Sequence, residues 1–241
     1  MSRSKKHKNK PCVYCRKSPS VTADHVFPRG MFQVHQRNGL PKVPSCVRCN
    51  NRKSKLEHYL LSVLPFGATH ANAKTALSID VARRLAKNRK LHRRLAASFQ
   101  SRYVPRPSGV LEKRITFNLD PECLHAFSGF AVRGLLWHHW RKLLPEGSSW
   151  KAFTPSKRGI DFVHAMFSLE TSRRVEGSFG EGTVRYKGSV SDSEDGVSVW
   201  AIQLFGGVTV ATAGLNEIFS NSFVAVITGS PGFLSGLQFE R

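Results

Sequence analysis

The sequence predicts an α+β protein in two parts, and three observations carry this prediction. Four of the five cysteines lie near the N-terminus, in two C-x2-C pairs. The first 110 residues are strongly basic, whereas the remaining residues carry equal numbers of positive and negative side chains. Apolar residues follow a helical period through much of the chain and alternate, with glycines at the turns, from about Trp150 onward. A cysteine-containing part with helices is therefore followed by a part made of a helix and an antiparallel sheet.

The charge distribution indicates a polyanionic partner. The net charge of the 241 residues is +21, with 24 Lys and Arg but only three Asp and Glu among the first 110 residues. Such a field attracts a nucleic acid and makes its binding depend on salt. The basic part has no aromatic stripe to insert into a lipid surface, which argues against a membrane. We expect DNA as the partner, with RNA as the second choice. No targeting or transmembrane segment is evident, and we expect a cytoplasmic protein.

The chain begins with a basic segment, residues 1–10, that contains no apolar side chain beyond Met1. We expect a flexible arm that follows a nucleic-acid backbone, and the alternative is a solubilising tail. The two cysteine pairs come next, Cys12 with Cys15 and Cys46 with Cys49. A spacing of two lets both thiolates of a pair bind one tetrahedral ion, which predicts a structural zinc site. The alternatives are two disulfides or four unrelated thiols. Disulfides are opposed by the unpaired fifth cysteine, Cys123, and by the missing signal peptide.

Between and after the cysteine pairs lie residues that suit phosphate chemistry. Asp24-His25 stands between the pairs, and a carboxylate that holds a cation beside an imidazole that takes a proton is one interpretation. A surface Asp and a hydrogen-bonded His are the other. The leucines after the second pair predict a helix beginning near Asn50. Its N-terminus attracts phosphate, and Arg52, Lys53 and Lys55 add positive charge there.

The combined pattern C-x2-C, D-H-x-x-P and C-x2-C-N-x-x-K resembles the zinc-stapled HNH (His-Asn-His) endonucleases, which have the ββα-metal fold. The resemblance covers about residues 12–60. It implies that His25 is the general base, that Asp24 and Asn50 hold one Mg²⁺ or Mn²⁺ ion, and that Lys53 contacts phosphate. The family's middle Asn, usually nine residues before the helix Asn, is replaced by Pro41 here, with Asn38 nearby. Asn51 and His58 are further candidates for the ion.

The nuclease-like module is expected to span residues 11–64 and to continue into a basic helical extension, residues 65–108. One helix is expected from about Asn72 to Phe99, with a stripe that is apolar except for Asn88 and that must pack on the following domain or on a partner chain. This apolar stripe consists of Leu77, Val81, Leu85, Asn88, Leu91 and Leu95. A second stripe is basic, and a solvated face is its alternative to a DNA-binding surface. The basic stripe consists of Arg83, Lys87, Lys90 and Arg94.

Residues 109–241 are expected to form a neutral α+β domain. A Pro- and Gly-containing connector, from Tyr103 to Gly109, precedes it. Asp120, followed by Pro121, predicts the start of a helix that runs to about Leu144. Hairpins are predicted from Arg173 to Val190 and from Val197 to Ala213, with a last strand from Phe223 to Thr228. This domain carries no recognisable chemistry, and a homo-oligomer or protein partner through it is one expectation.

Together these observations predict a metal-dependent endonuclease that hydrolyses DNA phosphodiester bonds. His25 acts in this interpretation as the base, Asp24 and Asn50 hold magnesium or manganese, and the four cysteines hold a separate structural zinc. The alternative is a non-catalytic zinc-containing protein that binds DNA or RNA or assembles a complex. The nucleic-acid-binding residues are expected to be Arg52, Lys53, Lys55, Arg83, Lys87, Lys90 and Arg94.

Overall fold

The computed structural model describes residues 7–105, 109–116, 118–168, 172–192, 196–207, 210–211, 218–219 and 223–237. Most of the expected basic arm, residues 1–6, lies outside these ranges. The arm's last residues are held against the module, because the Asn9 amide donates to the Ser20 carbonyl at 3.0 Å and the Ser20 amide donates to the Lys10 carbonyl at 2.8 Å. The fold is mixed helix and antiparallel sheet, as predicted.

The cysteine-containing module consists of two short antiparallel strands followed by a helix. Strand β1 (Thr22–His25) pairs with β2 (Lys42–Ser45), and helix α1 (Val47–Val63) follows directly. Two 3₁₀ turns, Arg29–Met31 and Val34–Arg37, lie in the loop that joins the strands. Helix α1 begins at Val47, three residues before the predicted start, because the extended backbone of Cys46 forms its N-cap.

The extension after α1 is interrupted, where the sequence predicted one helix. Its helical segments are α2 (Ala71–Ala76), a π-helical turn (Leu77–Val81), α3 (Ala82–Lys87) and α4 (Arg89–Ala97). The break lies at Asn88, the polar residue in the apolar stripe, whose side chain accepts from the Leu91 amide and caps α4. Other members of the apolar stripe pack against Val63 and Tyr59 of α1, the helix that precedes the extension.

The connector predicted around residues 103–109 begins inside a strand. Strand β3 (Gln100–Pro105) pairs with β4 (Leu111–Thr116) as an antiparallel hairpin. Helix α5 (Pro121–Trp140) follows, with Asp120 as the predicted N-cap and its carboxylate accepting from the Cys123 amide. The helix ends four residues before the predicted Leu144, since Arg141 adopts a left-handed backbone at its C-terminus.

The C-terminal part contains a five-stranded antiparallel sheet in the order β5-β11-β8-β7-β6. Its elements in chain order are β5 (Ser149–Phe153), α6 (Lys157–Phe167), β6 (Ser172–Phe179), β7 (Val184–Ser191), β8 (Ser198–Leu204), β9 (Val210–Ala211), β10 (Ile218–Phe219), β11 (Val224–Gly229) and α7 (Pro231–Gly236). Helices α6 and α7 were not predicted.

The strand pairing confirms the first predicted hairpin and corrects the second. Strands β6 and β7 pair as expected around the turn at Gly180 to Gly182. Strand β8 does not pair with the segment that follows it, because its two neighbours are β7 and β11. Strand β9 pairs with β10 in a separate two-stranded ladder, and residues 208, 209, 212 and 213 of the predicted hairpin lie outside the described ranges.

Helix α5 packs between the module and the sheet, so the two predicted parts share one apolar core. Tyr14 of the module meets Phe130 of α5 edge-on at 4.9 Å between ring centroids. Phe27, just after β1, meets Phe127 of α5 at 6.5 Å and Tyr186 of β7 at 6.4 Å. Gly134 permits the close approach, because a Cβ there would lie 2.8 Å from the Val26 side chain. Among the described residues, no helix is long and apolar enough to cross a bilayer.

Candidate metal centres and nuclease-like site

The four cysteines of the two pairs converge on one point. The sulfur atoms of Cys12, Cys15, Cys46 and Cys49 all lie within 4.8 Å of one another. The Cys15 and Cys46 sulfurs are 3.8 Å apart, and a tetrahedral zinc ion with Zn–S bonds of about 2.3 Å places its sulfurs about 3.8 Å apart. The cluster therefore fits a zinc ion. Cys123, the fifth cysteine, is not part of it.

Backbone hydrogen bonds hold both cysteine pairs in place. The Arg16 amide donates to the Cys12 carbonyl at 2.8 Å and closes a tight turn around the first pair. The Val13 amide donates to the Pro44 carbonyl at 3.0 Å and ties this turn to β2. The second pair spans the start of α1, where the Asn50 amide donates to the Cys46 carbonyl at 3.0 Å. Local turn geometry and a helix N-terminus thus bring the sulfurs together.

The surroundings of the thiols shift the pKa values of Cys15 and Cys49 in opposite directions. Burial acts to raise the pKa of Cys15, but hydrogen bonds from Lys17 and Ser18 and from neighbouring thiols outweigh it and lower the pKa to about 7. Burial raises the pKa of Cys49. Burial lowers the pKa of Arg133 of α5, and the neighbouring Cys49 and Tyr14 oppose that effect.

Asp24 is buried in a network of polar groups that includes Tyr14, the residue between Cys12 and Cys15. Its Oδ2 accepts from the Tyr14 hydroxyl at 2.6 Å and faces the Lys53 Nζ at 3.1 Å. Lys53 also donates to Glu57 and, at 2.6 Å, to the carbonyl of His25. Burial raises the pKa of Glu57, which the charge of Lys53 opposes, and burial together with Asp24 raises the pKa of Tyr14 well above its usual value. Tyr14 is therefore a hydrogen-bond donor at neutral pH.

This network corrects the role expected for Lys53. We predicted a phosphate contact, but the Lys53 side chain is wholly buried. Its ammonium group is surrounded by two carboxylates and one carbonyl, so no part of it reaches the surface where a phosphate binds. Such burial is favourable only because the charge is paired and hydrogen-bonded. The structure makes Lys53 an internal counter-ion.

His25 follows Asp24 on β1 and is half-buried, whereas Asp24 is buried. Alternation along a strand sends their side chains to opposite faces. Burial lowers the pKa of His25, and Lys42 across the ladder lowers it further against the opposing effect of Asp24. The imidazole is therefore neutral at pH 7, which is the form that accepts a proton.

Asn50 lies on the helical face that carries the buried network. Asn50, Lys53 and Glu57 are spaced at i, i+3 and i+7 on α1, so they share one face, and Lys53 of that face contacts Asp24. Asn50 is half-buried, whereas Asn51, the second candidate, is exposed. His58, the third candidate, is half-buried, and its carbonyl accepts from the Ser62 hydroxyl. Within the described residues, only the four cysteines form a group of three or more His, Cys, Asp or Glu close enough to hold a metal.

A backbone contact occupies the position at which the family's middle Asn is missing. The Val26 amide donates to the Pro41 carbonyl at 2.9 Å, directly beyond the paired residues His25 and Lys42. Asn38, the expected substitute, is exposed. The hairpin is therefore closed by a main-chain hydrogen bond that needs no Asn side chain.

The remaining predicted nucleic-acid-binding residues lie on the surface. Arg52 and Lys55 are exposed on α1, close to the cysteine cluster in sequence. The members of the basic stripe are also exposed, but the break at Asn88 divides them between α3 and α4. The stripe is thus formed by two helices in place of one continuous face. Its members are Arg83, Lys87, Lys90 and Arg94.

Sequence reasoning missed Tyr14, Glu57 and Arg133. Two signals could have identified the first two. Tyr14 lies inside the first cysteine pair, and Glu57 is one of only three acidic residues among the first 110, four positions after Lys53 on the same helix. Arg133 donates to the Tyr14 carbonyl, and its guanidinium carbon lies 4.1 Å from the Trp150 ring centroid. Nothing in the sequence connects Arg133 with the cysteines, because the contact is purely tertiary.

Comparisons with known proteins add no family to this description: no family model, no curated protein and no solved structure matches the chain.

Proposed function

We propose that this protein is a metal-dependent endonuclease of the HNH type that hydrolyses phosphodiester bonds of DNA. The observation that carries the proposal is the contact of Asp24, which directly precedes His25 on β1, with Lys53 on the face of α1 that also bears Asn50, in a module with a separate four-cysteine cluster. The strand-strand-helix order of the module agrees with the resemblance seen in the sequence. Zinc bound by the cysteines is structural in this proposal, because a site filled by four sulfurs has no open position.

Each residue of the site has a defined task. His25 takes the proton of the attacking water, and its lowered pKa keeps the imidazole neutral for that task at pH 7. Asp24 and Asn50 hold a Mg²⁺ or Mn²⁺ ion. Such an ion, when bound, polarises the scissile phosphate and stabilises the leaving oxygen. Lys53 fixes the geometry by binding both the Asp24 carboxylate and the His25 carbonyl.

The surface charge supports DNA as the substrate. Apart from the buried Lys53, the predicted contact residues are exposed, and Asp24, Glu57 and Asp80 are the only acidic residues among the first 110. Asp24 and Glu57 meet at Lys53, and Asp80 lies 3.7 Å from Arg84. Each acidic side chain thus has a basic neighbour, so a surplus of positive charge remains for phosphates.

Plasmid nicking tests the proposal. Supercoiled DNA is incubated with the zinc-loaded full chain and Mg²⁺ or Mn²⁺, and His25→Ala is compared with the wild type. We expect His25→Ala to lower the cleavage rate about 10²- to 10⁴-fold, the usual contribution of a general base, without loss of DNA affinity. His35→Ala is the matched control, because His35 is exposed on the loop between the strands. Equal rates for wild type and His25→Ala would contradict the proposal.

The second candidate is a non-catalytic zinc-containing protein that binds DNA or RNA or assembles a complex. One observation favours it: the Asp24 carboxylate is paired with the Lys53 ammonium group, whose positive charge repels a metal ion placed beside it. DNA binding without cleavage under any divalent ion tried would favour this candidate over the nuclease.

A further inference from the structure

We propose that Tyr14 is a positioning residue that couples the first zinc-binding cysteine pair to the metal-binding carboxylate of Asp24. The inference rests on the proposed function for the role of Asp24, but it is carried by different atoms. Tyr14 stands between Cys12 and Cys15, and its hydroxyl donates to Asp24 Oδ2 at 2.6 Å. The residue thus joins the cysteine cluster to the nuclease-like site.

The contacts of Asp24 are one-sided. Tyr14 and Lys53 both bind Oδ2, whereas no hydrogen bond among the described residues involves Oδ1. The carboxylate cannot rotate freely, since a hydrogen bond from Tyr14 and an ion pair with Lys53 hold one of its oxygens from two different elements. Oδ1 is therefore the oxygen left for a cation. Metal-binding carboxylates are commonly held in this way by partners behind them.

Tyr14 is itself held by three sets of contacts: those of the flanking cysteines, of its ring and of its backbone carbonyl. The chain on either side of it is constrained by the cysteines that fit zinc. Its ring is buried and meets Phe130 of α5 edge-on, and its carbonyl accepts from Arg133. The position of the hydroxyl is thus set jointly by the zinc-binding turn and by α5. A shift of that turn moves the donor that orients Asp24.

The charge of the network completes the argument. Asp24 and Glu57 carry two negative charges and share one positive charge, that of Lys53. The formal charge of these three groups together is negative, which favours a cation at Oδ1. Glu57 also affects how Lys53 is shared: because Lys53 binds Glu57 as well, its positive charge does not neutralise Asp24 alone.

Tyr14→Phe tests the inference, because it removes only the hydroxyl and keeps the ring packed on Phe130. The zinc-loaded full chain is titrated with Mn²⁺ and followed by electron paramagnetic resonance. We expect Mn²⁺ to bind about 10- to 100-fold more weakly, the usual effect of removing such a partner, with one zinc per chain retained. Plasmid cleavage should need correspondingly more Mn²⁺ and recover when the ion is in excess. Tyr59→Phe is the matched control, since its hydroxyl accepts from the Asp120 amide at 2.8 Å, away from the site.

A second variant protects the test against loss of fold. Glu57→Gln keeps the shape of the side chain and removes one negative charge, so Mn²⁺ should also bind more weakly. Unchanged Mn²⁺ affinity in both variants would overturn the inference, and cleavage by the wild type would leave the proposed function standing. Weaker Mn²⁺ binding in a wild-type background that never cleaves DNA would support the coupling and count against the endonuclease.

Discussion

The cysteine-containing module and the C-terminal sheet bury different kinds of groups. The module encloses four thiols, the Asp24 carboxylate and the Lys53 ammonium group. The sheet encloses Trp200, Phe205, Ile202 and Ile227, with hydroxyls that bond one another, such as Ser198 with Thr228 at 2.6 Å. A module of about 50 residues buries little apolar surface by itself and is marginally stable, and a structural metal ion adds folding energy to such modules. The comparison teaches that the module relies on α5 and on a cysteine cluster that fits zinc, whereas the sheet relies on apolar packing.

Loss of zinc gives the largest effect that this comparison predicts. Structural zinc contributes about 10–16 kcal/mol of apparent binding free energy, as much as the whole stability of a typical domain. Cys46→Ser should therefore unfold the module, and the shared core should transmit part of the damage to α5. Near-ultraviolet circular dichroism and zinc content measure this outcome. Cys123→Ser is the control, because Cys123 lies outside the cluster; a folded, zinc-bound Cys46→Ser protein would contradict the prediction.

Overpacking the contact between the two parts gives the next effect. Gly134→Leu places side-chain atoms where Val26 already lies, so the helix and the module must move apart. We expect a loss of about 1–3 kcal/mol in the free energy of unfolding, the usual effect of overpacking. Denaturant titration measures it. Gly232→Leu on α7, where a Cβ meets open space, should change the free energy of unfolding far less. Equal losses in the two variants would mean that the loss does not come from the contact between α5 and the module.

Charge removal from the extension sharpens the comparison of the basic and neutral parts. Replacing Arg83, Lys87, Lys90 and Arg94 by Gln should weaken DNA binding and reduce the slope of log affinity against log salt by about 0.9 for each phosphate that is no longer neutralised. Binding isotherms at several salt concentrations measure this. The exposed Arg185 and Lys187 of β7 are the control pair, and an equal reduction there would mean that binding is spread over both parts.

The smallest predicted effect is a pH dependence that belongs to the C-terminal part. Burial and the neighbouring His138 lower the pKa of His139 to about 4, and its Nε2 lies 2.9 Å from the Tyr186 hydroxyl. The unfolded chain binds a proton at this residue below pH about 6.5, and the folded chain does not until about pH 4. Stability should therefore fall as the pH drops from 6.5 toward 4. His139→Gln should flatten this part of a denaturation-versus-pH curve, and an unchanged slope would contradict the assignment.

The sequence predicted those features that depend on local spacing. The cysteine pairs, the Asp120 cap of α5 and the hairpin of β6 and β7 follow from residues close together in the chain, and the structure confirms them. The break at Asn88 was missed because a polar residue in an apolar stripe can be a solvated position or a cap, and periodicity does not distinguish them. Burial of Lys53 depends on Asp24 and Tyr14, which lie far from it in the chain, so no local rule could reveal it. The site residues themselves stay a prediction.

The central claim is that a second cation binds beside Asp24 and Asn50, apart from the four cysteines. X-ray diffraction from crystals soaked in Mn²⁺, with anomalous data at the zinc and manganese edges, tests it most directly. The account predicts a zinc peak among the four sulfurs and a manganese peak at Asp24 Oδ1. The manganese ion should lie within coordination distance of the Asn50 side-chain oxygen and be accessible from the side of β1 that carries the His25 imidazole. A zinc peak alone, with no manganese peak at Asp24 even at high Mn²⁺, would contradict the account.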